Sequence, residues 1–549
     1  MIIPRPAALV PAPGRFELPA APRICAGPGA ARPADLLAEY LGPDRPRGTE
    51  GPEIRLELRP ERGGAAGPPS EAYRLEIAAD RVLLGAPAEA GLFHGVQTLR
   101  QLLSADGRSL PCVTVEDAPL LPWRGVMLDV ARHFLPLGFV YAFVDQLALH
   151  KINVLHLHLT DDQGWRIEID GRPRLTEVGA WRTESMVGPA GSTVFDGTPH
   201  GGFYTQKELA GLVDHADARG IRVVPEIEMP GHARSALAAY PELGVHGRPM
   251  PVWTSWGICE DIFGVHDAAI SFCREVLGQT MDVFPDRYVH IGGDECPTTQ
   301  WETDAYSQQR ARELGLAHPA ALHGWFLARM HAFLADCGRR AVSWDTASPG
   351  PTGLPADLVL AAWLAPQDAA RSIARGHQVL LAPHQSTFFD YVQRDHPDEP
   401  QGQPGGVVTV EDVYAFEPLA SGGPQPLPIA DPFAAAAAGF AAPAAPAAPA
   451  APAAPGVLGA QAQLWTEFLP EPGHVLYAAY PRLCAFAEAA WSSGPRDYAD
   501  FRARLARQAP LLVSVGALDE NRLAEVAGNP AVGAGAVSAR GRRPARIEG

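Results

Sequence analysis

The chain has 549 residues, 46% of them hydrophobic, which is enough for two domains or for one large barrel with an appendage. Its formal charge is −17, and Lys and Arg cluster only at Arg540, Arg542 and Arg543, so nucleic acid and anionic membrane are excluded as partners. Seven cysteines without a CxxC pair argue for reduced thiols in a cytoplasmic protein, not a disulfide framework.

The opening MIIPRPAALVPAPG is broken by Pro4, Pro6, Pro11 and Pro13 and lacks the long apolar core of a signal peptide. No run of about 18 apolar residues free of proline and charge predicts a membrane span. Residues 1–120 read as a small α/β domain. Segments 54–58 (IRLEL), 73–77 (YRLEI) and 82–85 alternate or run apolar as strands, and 88–103 carries Leu92, Val96, Leu99, Leu102 and Leu103 at helical spacing. No catalytic constellation stands there, and the expected role is structural support.

From Trp123 onward, strand-like and helix-like segments alternate. Strands are predicted at 125–130, 152–158, 221–227, 287–292, 340–344, 357–363, 378–382 and 457–464. Val140, Phe143, Val144 and Leu147 share one face of a helix between the first two. Thr205 and Glu208 form a capping box for a helix that stops at Gly220. Eight such units predict an α/β fold, a (β/α)8 TIM barrel over 121–515, with chemistry at the C-terminal strand ends. The Ala/Pro-rich run 433–455 repeats proline every third residue and is expected as a surface insertion without a core. Residues 516–549 are expected to be a flexible tail.

The strand ends carry the chemistry. The fourth is HIGGDE, where two glycines lead into Asp294 and Glu295. Adjacent side chains of an extended segment face opposite ways, so these two acids are expected to have different jobs: one donates a proton and the other holds something else. The first strand ends near Arg132, the second at Asp161, the third leads to His232, the fifth and sixth end at Trp344 and Trp363, the seventh leads to Phe388 and Asp390, and the eighth ends at Trp465 and Glu467. Three tryptophans beside acids and an arginine suit a sugar ring, whose C–H faces stack while its hydroxyls hydrogen-bond.

A metal-dependent hydrolase is the rival chemistry, because His156 and His158 lie on one strand face. No Lys or second His pair at a matching strand end is expected to complete a cage, so the pair is assigned to barrel packing and no metal is predicted.

The stretches RGVMLDVARHF, KINVLHLHLTDDQGWR, VVPEIEMPGH, YVHIGGDE, VYAFEP and GAQAQLWTE run in order from about residue 123 to 470. In combination they resemble the β-N-acetylhexosaminidases of glycoside hydrolase family 20, and the first 120 residues resemble the small domain that precedes that barrel. The resemblance implies an exo-acting, retaining, substrate-assisted hydrolase of N-acetylhexosamine-terminated oligosaccharides or glycoconjugates, with no cofactor. It implies that Glu295 is the acid and base, and that Asp294 orients the substrate's acetamide. Arg132 and Glu467 would hold ring hydroxyls, and Trp344, Trp363 and Trp465 would line the pocket with Asp390 at its edge. Asp161 and His232 would stand behind the acid, where neighbouring charge is expected to raise the pKa of Glu295. One departure is evident: Phe388-Phe389-Asp390 stands where the family has Tyr-x-Asp, so a hydroxyl that bonds the acetamide oxygen is missing unless Tyr391 or a loop group replaces it. A sugar-binding protein with weakened catalysis on the same scaffold is the alternative.

Overall fold

In the first 120 residues, alternating apolar positions build one six-stranded sheet. In chain order its strands are β1 (Ala8–Glu17), β2 (Arg23–Ala26), β3 (Glu53–Leu58), β4 (Tyr73–Ile77), β5 (Arg81–Ala86) and β6 (Ser109–Asp117), arranged β1-β6-β4-β5-β3-β2. The computed structural model describes residues 2–42, 48–49, 51–59, 71–345, 354–419 and 456–526. β1 is a strand that the sequence pattern hides. Its prolines look like breakers, yet it pairs only with β6, and an edge strand tolerates a missing N–H. Helices α1 (Ala31–Leu41) and α2 (Glu89–Leu102) pack together, and α2 is buried along almost all its length. The reason is that α2 also meets the second unit: Gln101 Nε2 donates to the Leu149 carbonyl at 2.7 Å.

The second unit is a closed barrel of eight parallel strands. These are β7 (Trp123–Asp129), β8 (Val154–His158), β9 (Arg222–Glu226), β10 (Tyr288–His290), β11 (Arg340–Trp344), β12 (Val359–Ala362), β13 (Gln378–Leu381) and β14 (Gly456–Leu464). Each pairs with the next, and β14 closes on β7. All eight predicted strands are present, with ends that differ from the prediction by at most two residues. Helix α3 (Leu137–Leu149) buries Val140, Phe143, Val144 and Leu147, as its periodicity requires. Helix α4 (Gln206–Asp217) opens on the Thr205/Glu208 capping box and stops just before Gly220, whose φ is +74°.

Inside the barrel the layers differ. Near the N-terminal ends the interior is filled by Trp123, Val154, Val224, Tyr288, Val342, Val359 and Leu380. One level up, register places Asp129 beside His158, His158 beside Glu226, and Glu226 beside His290. A polar layer therefore lies under the mouth of the barrel, where apolar branched residues usually dominate.

The stretch expected as a flexible tail needs correction at its start. Residues Glu520–Val526 are helical, and Arg522 donates to the Tyr477 and Tyr480 carbonyls at 2.9 and 3.0 Å, which anchors the helix to the barrel. The Ala/Pro-rich insertion at 433–455, and residues from 527 on, lie outside the described residues. Among the described residues no helix is long and apolar enough to cross a membrane.

Candidate active site

β10 ends at His290, and the chain then turns through Gly292 (φ +61°) and Gly293 (φ +97°) into Asp294 and Glu295. A Cβ on Gly292 would lie 1.7 Å from Glu228 Oε2, so only glycine lets this turn pass the neighbouring strand end. The two acids meet different surroundings. Asp294 is half-buried, its Oδ1 is sealed from solvent and has no hydrogen-bond partner in the protein, and burial pushes its carboxyl up to about 6, with Glu295 adding to the shift. The Glu295 side chain is 37% exposed, and its Oε2 lies 3.6 Å from His232 Nε2.

Behind Glu295 runs a chain of alternating charge. His232 Nδ1 is 3.1 Å from Asp162 and 3.3 Å from Asp161, and Asp161 also pairs with Arg132 at 2.8 Å. Burial works against a charge on His232, but the Asp161 carboxylate outweighs it and holds the imidazole well above its ordinary pKa. Burial would raise Glu295 too, yet its contact with His232 outweighs this and holds the carboxyl below its usual value. The expectation that neighbouring charge raises Glu295 is therefore corrected: the cation of the pair faces the acid, and Asp161 sits behind it.

Arg132 is placed by Asp129. Asp129 Oδ1 accepts from the backbone N–H groups of Ala131 and Arg132 at 2.8 and 3.1 Å, and Oδ2 accepts from the Thr466 N–H at 3.1 Å. One carboxylate at the end of β7 thus clasps the loops that carry Arg132 and Glu467. The Arg132 guanidinium lies 4.8 Å from the ring centre of Trp465, which is 5.7 Å from Trp344. Trp363 stacks on Phe388 at 6.1 Å, and Phe388 is 6.2 Å from Trp465. The Phe389 N–H donates to the Gln463 carbonyl at 2.8 Å, and Arg482 donates to the Tyr391 carbonyl at 2.8 Å, so the loop bearing Asp390 is fixed from both sides. Asp390 is pushed well above the usual carboxylate range by burial and by Glu467. All eleven residues that the sequence assigned to a site thus lie around one mouth. Arg132 Nε, Asp294 Oδ1, Trp363 Nε1 and Asp390 Oδ1 are buried there without a protein partner, a set of donors and acceptors suited to a polar ligand.

Tyr391 does not fill the place of the missing hydroxyl by a bond in the pocket; its Oη lies 3.4 Å from His384 Nδ1.

The sequence reading did not assign Glu226, which lies in the polar layer beneath the site. Trp344 Nε1 donates to its Oε1 at 2.7 Å, and His290 Nδ1 lies 2.7 Å from the same oxygen. His158 Nδ1 bonds Oε2, and His156 Nε2 lies 2.9 Å from it. Burial opposes the charge on Glu226, and the His290, His158 and His156 imidazoles outweigh it and hold the carboxyl well below its usual range. The signal was present: His158 and Glu226 both end predicted strands. What the sequence did not show is that His290 reaches His156, with ring centres 4.7 Å apart, so a further imidazole does stand beside the pair. His156, Glu226 and His290 bring their ligand atoms within 4.8 Å of one another. Their separations of 2.7 and 2.9 Å are hydrogen-bond lengths, whereas ligands on a tetrahedral ion at about 2.0–2.1 Å stand about 3.3 Å apart.

Comparison with known proteins agrees with this geometry. The family described as "Glycosyl hydrolase family 20, domain 2" matches residues 1–118, and "Glycosyl hydrolase family 20, catalytic domain" matches residues 121–494. A beta-hexosaminidase of Porphyromonas gingivalis is 35% identical over 92% of this chain, which spans 62% of that relative's length. A beta-N-acetylhexosaminidase of Cellulomonas fimi is 36% identical over 88% of this chain and 87% of its own. The crystal structure of a GH20 exo beta-N-acetylglucosaminidase from Vibrio harveyi, in complex with N-acetylglucosamine, superposes with a TM-score of 0.79 at 29% identity, covering 94% of this chain and 77% of that one. With both descriptions matched in the order in which sheet and barrel follow each other, the chain belongs to glycosyl hydrolase family 20.

Proposed function

We propose that the chain is an exo-acting, retaining β-N-acetylhexosaminidase that uses its substrate's own acetamide as nucleophile. The observation that carries this reading is the contrast between the two adjacent acids: Glu295 is open and in contact with His232, and Asp294 lies deeper with a bare oxygen. In the first step Glu295 gives its proton to the glycosidic oxygen as the C1–O bond breaks. The acetamide oxygen closes on C1, and Asp294 accepts the acetamide N–H and faces the positive oxazolinium ring. In the second step the Glu295 carboxylate takes a proton from water as that water attacks C1 and reopens the ring, so the configuration at C1 is retained.

Arg132 and Glu467 hold ring hydroxyls, Trp344, Trp363 and Trp465 form the walls, and Phe388 and Asp390 close the edge. Asp161 and His232 orient the acid. The substrates are oligosaccharides or glycoconjugates ending in N-acetylglucosamine or N-acetylgalactosamine. The N-terminal unit, residues 1–120, supports the barrel, and the free thiols favour a reducing, cytoplasmic setting.

Chromogenic β-glycosides of GlcNAc, GalNAc and glucose, each with and without chelator, test the reading. The two acetamido sugars are cleaved, chelator changes nothing, and the glucoside, which lacks the internal nucleophile, is not cleaved. Cleavage of the glucoside at a similar rate removes substrate assistance. Heat protection by N-acetylglucosamine without product release would leave a binding protein.

A further inference from the structure

The acid network does not end at Asp161. His158 Nε2 lies 3.2 Å from Asp161 Oδ2, and its Nδ1 bonds Glu226 Oε2. An imidazole held between two carboxylates must donate from both nitrogens, so the geometry itself makes His158 a cation. The side chains of His158, Asp161 and Glu226 are wholly buried and His232 nearly so, and the sequence Glu226–His158–Asp161–His232 meets solvent only at its end, Glu295. His156 is different: Gln461 Nε2 donates to its Nδ1 at 3.0 Å, which leaves Nε2 carrying the proton toward Glu226 and the ring neutral.

We propose, on the functional reading above, that Glu226 is a positioning residue for the acid: it fixes His158 as an imidazolium, and this cation holds Asp161 so that His232 meets Glu295 in a set orientation and charge state. The same carboxylate takes the indole N–H of Trp344 and faces His290, the residue from which the Asp294–Glu295 turn departs. One buried group thereby ties the pocket wall, the turn and the relay.

The charged and titratable groups around Glu226 are His156 and His158 on β8, His290 and Asp294 at β10, and Glu228 beyond its own strand; Asp129 on β7 faces His158. Of these, His158 touches both Glu226 and Asp161. Burial works against its charge, and Glu226 outweighs this, carrying it to about 10.

Glu226→Gln keeps the shape and removes the charge. His158 then has one carboxylate partner and loses a proton in the neutral range. One of the three cations around Asp161 disappears while Arg132 and His232 remain, Asp161 is less compensated, and Glu295 keeps its proton to higher pH. The basic limb of kcat/KM accordingly moves up by about half a pH unit, less than the roughly 1–3 pH units of a charge in direct contact, because Asp161 and His232 stand between. His158→Gln, still able to donate to Asp161, moves the limb in the same direction. A group with only a packing role would lower kcat or stability and leave the limb in place, and that result overturns the proposal.

Imidazole NMR of unliganded wild-type protein gives a reading that needs neither folding of a variant nor turnover. His158 stays doubly protonated above pH 8, and titration of His158 near 6.5 overturns the proposal. A wild-type protein that cleaves no N-acetyl glycoside counts against the function above, while the His158 titration still decides the charge state on which this inference stands.

Discussion

Lys151 Nζ lies 2.7 Å from Asp117 Oδ2, with both side chains fully buried where the N-terminal sheet meets the barrel. Lys151 also donates to Tyr73 Oη at 2.8 Å and lies 4.6 Å from the Trp491 ring centre, while Trp491 donates its own N–H to Asp117 at 2.9 Å. Nearby, Arg124 pairs with Glu71 and stacks on the same tryptophan at 4.8 Å. Sheet and barrel are thus joined by buried charges that are satisfied only together. Lys151→Met leaves Asp117 buried without its cation and lowers stability by about 3–5 kcal/mol, the usual result of breaking a buried pair. Chemical denaturation measures the loss, and a change under 1 kcal/mol would show that the seam does not depend on the pair.

Glu295→Gln removes the proposed proton donor and keeps the volume. For a poor leaving group kcat falls by about 10²–10⁴-fold, the worth of general acid catalysis. A glycoside whose leaving group needs no protonation loses less in its first step. Equal losses across a leaving-group series would assign Glu295 another role.

In the proposed reaction Asp294 is expected to set the acid side of the pH profile. Its carboxyl titrates near 6, raised by burial and by Glu295, so below that pH it is neutral and cannot face a positive ring. Activity therefore falls as pH drops through about 6. Asp294→Asn deletes this limb and lowers the plateau by about 10²–10³-fold, the scale of one lost preorganised group. A variant that keeps the limb would place its origin elsewhere.

Phe388 lies between Trp363 and Trp465 and is 8% exposed, with its ring among the proposed sugar walls. The Tyr391 hydroxyl lies next to His384, so a donor at position 388 would not be redundant with it. Phe388→Tyr is expected to raise kcat on N-acetyl glycosides at least about tenfold, part of the 10²–10³ that a lost oxyanion donor costs. Kinetics of the two proteins side by side check this; an unchanged or lower kcat would mean that the site does not lack this hydroxyl.

The barrel was legible because each strand is a short apolar run between helical patterns, and the site because its residues stand at strand ends. Glu226 was hidden by its place inside VVPEIEM, where a single acid in an apolar run gives no sign of depth. Its partners His158 and His290 are far apart in the chain and meet only through the pairing of β8, β9 and β10. The direction of the Glu295 shift was hidden for a related reason: the motifs name Asp161 and His232 but not which of them faces the acid. β1 was missed because proline reads as a breaker until its position at the edge is known.

The backbone at Glu295 has φ +42°, a left-handed setting that costs a non-glycine residue about 1–2 kcal/mol. His232, the residue it meets, has φ +49°. The protein therefore holds its acid in place against a standing strain, and durability and turnover pull in opposite directions at that residue. Glycine there would release the strain at about 0.5–1 kcal/mol of added chain freedom. On the proposed function, a Glu295→Gly protein would then turn over about 10²–10⁴-fold more slowly yet be slightly harder to melt than its parent, a form in which a sugar with a poor leaving group could be kept bound and observed.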